Sequence, residues 1–149
     1  MMIMKKTIQN ALTAAMKAKD EDTKRTLRMV MTMIKFAEIE KGGEIDDQRV
    51  LSILQKELKT RQDAIQEAQQ ANRTDLIKAA EKEIIILNRF LPQRMDDEEL
   101  IELVENVIAE SGASTLRDMG EVMKILMPKV AGRASGQDAS KIVKELLQN

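Results

Sequence analysis

The chain contains no cysteine, histidine, tryptophan or tyrosine, and only two phenylalanines, Phe36 and Phe90. Each absence narrows the chemistry. Without cysteine there is no disulfide framework, no thiolate metal site and no thiol nucleophile, and a reducing cytoplasm is the expected setting. Without histidine the commonest general base at neutral pH is missing. Aromatic poverty leaves Leu, Ile, Val, Ala and Met to build the core. Eleven methionines are available for it, and Met fills irregular gaps between helices well. No segment approaches the ~20 apolar residues of a membrane span. The opening Met1-Met-Ile-Met-Lys-Lys is too short an apolar run for a secretory signal, so no membrane association is expected. Alternating runs of β-branched residues are absent, which excludes a strand-rich fold. Neither a glycine-rich phosphate loop nor a Gly-x-Ser-x-Gly or Ser-x-x-Lys arrangement occurs. No catalytic residue, no metal site and no cofactor is therefore expected.

What is present is charge and helical period. The formal net charge is −1, but its distribution is uneven. Residues 1–95 hold 18 basic and 14 acidic side chains, residues 96–113 hold seven acidic and no basic ones, and residues 114–149 hold six basic and four acidic ones. Two mildly basic stretches flank one acidic segment. Its first turn, Asp96-Asp97-Glu98-Glu99, reads as a helix start complementing the helix dipole rather than as a ligand set.

Apolar spacing by three and four residues predicts helices nearly throughout. Ile8, Ala11, Leu12, Ala15 and Met16 share one face of a first helix, and Leu27, Val30, Met31 and Ile34 one face of a second. Gly42-Gly43 ends the second. Asp46 and Asp47 are candidate caps for a long third helix with Leu51, Leu54, Leu58, Ile65 and Ala68. Thr74 or Asp75 is expected to cap a fourth, with Ile77, Ala80, Ile84, Leu87 and Leu91. Phe90-Leu91-Pro92 breaks the pattern, because the residue before a proline avoids the helical region. A capping box of Asp96 and Glu99 opens a fifth helix carrying Leu100, Leu103, Val104, Val107 and Ile108. The sixth carries Met119, Val122, Met123, Leu126 and Met127 and is kinked or ended by Pro128. The seventh carries Ala139, Ile142, Val143, Leu146 and Leu147. The expected fold is all-α: a four-helix antiparallel N-terminal domain over 1–92, then a three-helix tail over 93–149.

Two sets of basic residues stand out. In the first domain Lys24, Arg25, Arg28 and Lys35 share an arc of one helix, and Lys56, Lys59 and Arg61 cluster in the next. Both suit a solvated face with ion pairs four residues apart. The tail has a different character: Arg117, Lys124, Lys129, Arg133, Lys141 and Lys144 surround Gly120 and Gly132. A glycine inside a helix costs about 1 kcal/mol relative to alanine, so Gly120 implies close approach of another backbone, either a neighbouring helix or a ligand. Gly132-Arg133-Ala134-Ser135-Gly136 offers backbone N–H groups, an arginine and a helix N-terminus to a phosphate. On the residues alone, a plain helix–helix turn is the favoured reading of this segment. With no aromatic platform for single strands, an RNA ligand would be read through shape, backbone and 2′-hydroxyls.

The run Asp118-Met-Gly-Glu-Val-Met-Lys-Ile-Leu-Met-Pro-Lys-Val-Ala-Gly-Arg-Ala-Ser-Gly136 resembles the tail module of the aspartyl/glutamyl-tRNA amidotransferase B subunit and of stand-alone YqeY-type proteins, the GatB/YqeY domain. The resemblance covers nearly the whole chain. Thr26-Leu-Arg-Met-Val-Met, Leu54-Gln-Lys-Glu-Leu-Lys-Thr-Arg, Ala71-Asn-Arg-Thr-Asp-Leu and Phe90-Leu-Pro match the N-terminal landmarks, and Gly112-Ala-Ser and Val122-Met add to those of the tail. Ser135 departs from the acidic or amide residue usual there, and Asn72 from a common glycine. The resemblance implies a helical domain plus a tail that, in the amidotransferase, grips transfer RNA. It also implies the label of carbon–nitrogen ligase with glutamine as amido-N-donor, although no residues for that chemistry are visible.

The expectation is therefore an accessory tRNA-binding protein of amidotransferase type without autonomous catalysis. Its RNA-binding residues would be Arg117, Gly120, Lys124, Lys129, Gly132, Arg133 and Lys141, and its partner structured RNA, tRNA first. The alternative is a protein–protein adaptor for an amidotransferase or aminoacyl-tRNA synthetase, presenting the Leu146-Leu147 end of the last helix.

Overall fold

The computed structural model describes residues 3–148. Among the described residues every regular element is helical and none is a strand. The chain divides into two compact units, Met1–Leu91 and Pro92–Asn149.

The first unit holds α1 (Met4–Ala18), α2 (Glu21–Lys41), α3 (Asp47–Gln70) and α4 (Thr74–Asn88). They form two helical hairpins, α1 with α2 and α3 with α4. Local chemistry sets the ends. Asp20 caps α2: its carboxylate accepts from the Thr23 backbone N–H at 3.2 Å and from the Thr23 hydroxyl at 2.7 Å. Gly42, at φ +82°, closes the same helix by donating to the Glu38 carbonyl at 2.8 Å. Asp46 caps α3 by accepting from the Arg49 N–H, while Asp47 accepts from the Met4 N–H at 2.9 Å and ties the start of α1 to that of α3. The expected cap of α4 is not formed. Arg73 is the N-cap and makes no side-chain cap bond, because its guanidinium holds the Asp75 carboxylate at 2.9 and 3.1 Å. Asn72 adopts φ +55°, a left-handed conformation that glycine takes freely and asparagine tolerates.

Ile8, Leu27, Val30, Ile34, Leu54 and Leu87 are fully buried together. Met16, expected on the core face of α1, is instead half-exposed, since Ile8 and Ala15 alone define the buried edge of that helix.

The second unit holds α5 (Asp97–Ser111), a single 3₁₀ turn (Leu116–Asp118), α6 (Met119–Val130) and α7 (Gly136–Gln148). Its core is aliphatic, built on Val104, Val107, Val122, Leu126, Val130 and Val143. Short helices of this length are marginal alone, so mutual burial holds them. Pro128 lies inside α6 without ending it: the helix runs on to Val130 before Ala131 and Gly132, both at positive φ, reverse the chain. Ser135 then caps α7, its hydroxyl accepting from the Asp138 N–H at 3.0 Å. A serine at this position is a natural N-cap, which gives the departure at Ser135 a structural role.

Candidate nucleic-acid interface

Arg133 sits in the turn between α6 and α7, and the structure commits its side chain inside the second unit. Its two terminal nitrogens donate to the Glu99 carboxylate at 2.7 and 2.9 Å, and its Nε donates to the Gln93 carbonyl at 2.9 Å. The Arg133 carbonyl in turn accepts from the Met95 N–H at 2.8 Å. A forked arginine–carboxylate pair is among the stronger polar contacts. Here it locks the start of α5 to the turn. It also explains why the expected capping box is half-formed: Asp96 accepts from the Glu99 N–H at 2.8 Å, but the Glu99 side chain is held by Arg133. Lys129 is paired more loosely, 2.9 Å from Glu110 on the surface.

The remaining tail candidates divide by place. Arg117, Gly120, Lys124 and Pro128 follow one another at intervals of three and four residues, opposite the buried Val122, Leu126 and Val130. They form one outward stripe, the α6 stripe, that starts in the 3₁₀ turn and runs along α6. Arg117 and Lys124 are exposed and have no ion-pair partner among the described residues. Gly120 is exposed too, and a β-carbon built on it would meet nothing within 4 Å. Packing between helices of this unit is therefore not what requires a glycine there. Pro128 lacks an N–H, so the Lys124 carbonyl lacks its usual donor four residues on.

The stripe has a rigid start. Ser114 and Thr115 donate their backbone N–H groups to one oxygen of Asp118, at 2.9 and 3.1 Å. These two bonds hold the Asp118 carboxyl below its ordinary range, and they fix the turn that carries Arg117. Lys141 lies elsewhere, on α7, where it lines a cavity of about 260 Å³ with Arg94, Asp97, Leu100 and Asp138. Gly132, at φ +79°, serves the chain reversal.

The basic clusters of the first unit are partly neutralised. Lys24 lies 3.4 Å from Glu21, Arg25 lies 2.9 Å from Asp22, and Lys59 lies 3.8 Å from Asp63. Arg28, Lys35 and Lys56 are exposed. Arg61 is not on a solvated face at all. It is 6% exposed and donates to Glu57 at 2.6 Å, to Glu83 at 2.8 Å and to the Met29 sulfur at 3.1 Å. The sequence held a signal for this. Arg61 falls on the row Leu54, Leu58, Ile65 and Ala68, whose spacing alternates four and three. An arginine on an apolar row is buried with partners or not buried at all.

Among the described residues no group of three or more His, Cys, Asp or Glu is placed to hold a metal ion, and no helix is long and apolar enough to cross a membrane. The Leu146-Leu147 end of α7 packs into the unit's own core, so it is not a free apolar face.

A family model described as Yqey-like protein matches residues 5–147. An uncharacterized protein of Schizosaccharomyces pombe is 33% identical over 86 residues, 58% of this chain and 70% of its own length. Two proteins named altered inheritance of mitochondria protein 41, mitochondrial, are also similar. That of Lachancea thermotolerans is 32% identical over 106 residues, 69% of this chain and 57% of its own length. That of Pyrenophora tritici-repentis is 26% identical over 143 residues, 94% of this chain and 78% of its own length.

Proposed function

The chain belongs to the YqeY-like family, and from that premise we propose that its second unit is a binding module for structured RNA, transfer RNA first, acting as an accessory to amidotransferase-type chemistry without a catalytic centre of its own. The observation that carries this is the outward stripe of α6. Two unpaired cations, Arg117 and Lys124, flank a glycine whose missing side chain leaves open space. A phosphate backbone needs cations that are not already neutralised, and a sugar edge needs somewhere to approach.

The other candidates take graded roles. Lys129 is available by exchange, because an exposed ion pair such as that with Glu110 is worth about 0–1 kcal/mol. Lys141 contributes from α7. Arg133 and Gly132 shape the turn and hold α5 against it, so Arg133 acts on RNA through position rather than contact. The carbon–nitrogen ligase label implied by the resemblance would demand a nucleophile or base, and the chain has no cysteine or histidine to supply one. A cytoplasmic setting is part of this proposal, although the names of two relatives place those proteins in mitochondria.

The test is a filter-binding series with folded transfer RNA and an unstructured single strand of the same length. Contact with about four phosphates gives a log–log salt slope near −3, with preference for the folded RNA. Equal affinity for both RNAs, or affinity independent of salt, would sink the proposal.

A further inference from the structure

The first unit carries an open groove between α2 and α3 that the RNA proposal does not use. One wall is apolar. Met33 and Phe36 line it, and Met29, four residues before Met33 on α2, extends the row beyond the cavity; the three, in chain order, are 42%, 40% and 62% exposed. Two adjoining cavities, of about 300 and 430 Å³, share Ala37, Glu40 and Arg49 and extend the groove to the end of α2. The other wall carries Arg49 and Lys56 beside Asp46, the cap of α3, and Glu57, whose carboxylate is paired with Arg61. Arg49 and Lys56, two turns apart on α3, are exposed and have no ion-pair partner among the described residues. The floor is rigid, because Glu57 is fixed there by buried Arg61.

We propose that this groove docks an amphipathic helix of a partner protein whose apolar row is flanked by aspartates and glutamates. Spacing of four and three residues on one helix matches the same spacing on another. Methionine side chains reshape to fit different apolar partners. Arg49 and Lys56 set the sign of the flanking charge, and charge of that kind chooses partners more than it adds affinity.

Other occupants fit less well. Nucleic acid would leave the apolar row unfilled, with Phe36 alone to stack on. A lipid surface is flat, and the site is concave. A second copy of this chain offers α5 as its acidic helix, but that helix buries its apolar stripe in its own core and leaves little besides Ile101 to fill the groove. This inference is independent of the RNA proposal, whose residues lie in the second unit.

The test is selection of a displayed library of random 16-residue helical peptides on the full-length protein, followed by affinity measurement of the enriched peptides. Enriched sequences should carry an apolar row beside Asp or Glu, and should shift the Met29 and Met33 methyl NMR signals. Phe36→Asp should weaken their binding at least tenfold. Arg49→Glu with Lys56→Glu should do the same and should turn the preference toward lysine-flanked versions of the same peptides. Circular dichroism verifies folding. Phe36→Ala and the charge-reversal pair stand in if Phe36→Asp unfolds the unit. Absence of enrichment, enrichment without acidic flanks, or affinity indifferent to both sets of changes would overturn the proposal. So would binding of phosphatidylglycerol vesicles or transfer RNA that is lost with the same substitutions while peptides fail to bind.

Discussion

Replacing Arg61 by alanine should destabilise the first unit by about 3 kcal/mol, measured by urea denaturation, because buried Glu57 would lose its partner. Replacing the pair together, Glu57→Leu with Arg61→Met, should recover most of that loss. If the single change cost under about 1 kcal/mol, the pair would be a surface-type interaction. Asp118 offers a test by pH. Its carboxyl is held below the ordinary value of 3.8 by N–H groups of Ser114 and Thr115. A lowered folded value means that the stabilisation is present above the ordinary value and is lost as pH falls through the folded one. NMR titration of Asp118 should therefore give a midpoint below 3.8, and Asp118→Asn should abolish the matching amide shifts at Ser114 and Thr115. A midpoint at or above 3.8 would mean that the turn is open in solution. Gly120 separates folding from binding. Gly120→Ala should raise stability by up to about 1 kcal/mol, because nothing opposes the added carbon. Gly120→Leu should lower transfer RNA affinity while leaving the salt slope of the remaining binding unchanged.

At the scale of elements, what the sequence revealed depended on whether a helix had one job. The apolar rows of α5 and α7 were legible because each helix buries a single stripe: Leu100, Val104 and Val107, then Ala139, Val143 and Leu147. Caps Asp46 and Asp96 were legible because a short acidic side chain before a helix has one obvious donor to meet. The cap of α4 misled because Asp75 had a competing partner two residues away in Arg73. The pairing of Arg133 was not legible for a related reason. Glycine–arginine turns suit phosphates, but Glu99 lies 34 residues earlier in the chain, and only folding brings it within 2.7 Å. In α2 the row Leu27, Val30 and Ile34 was plain, whereas the second row, Met29, Met33 and Phe36, lies roughly a third of a turn around the helix from it and was missed because a core needs only the first. Pro128 was expected to kink or end α6. The helix absorbs it near its last turn, where one missing backbone bond matters least.

At the scale of the molecule, the two units divide the work proposed for them: an aliphatic three-helix unit with two unpaired cations, Arg117 and Lys124, on one outward stripe, and a four-helix unit with an open groove. The family model's match, residues 5–147, spans both. The central claim is that RNA is held by the α6 stripe and not by the basic face of α2. The most direct measurement is transfer RNA affinity, over a salt series, of two full-length double variants, each checked by circular dichroism: Arg117→Ala with Lys124→Ala, and Arg28→Ala with Lys35→Ala. Removing one phosphate-bound cation costs roughly 0.5–1.5 kcal/mol at low salt and about one unit of salt slope. The α6 pair should therefore weaken binding by about tenfold or more and flatten the slope by about two units, while the α2 pair changes affinity less than about twofold. The reverse outcome, with the α2 pair carrying the loss and the α6 pair silent, would contradict it.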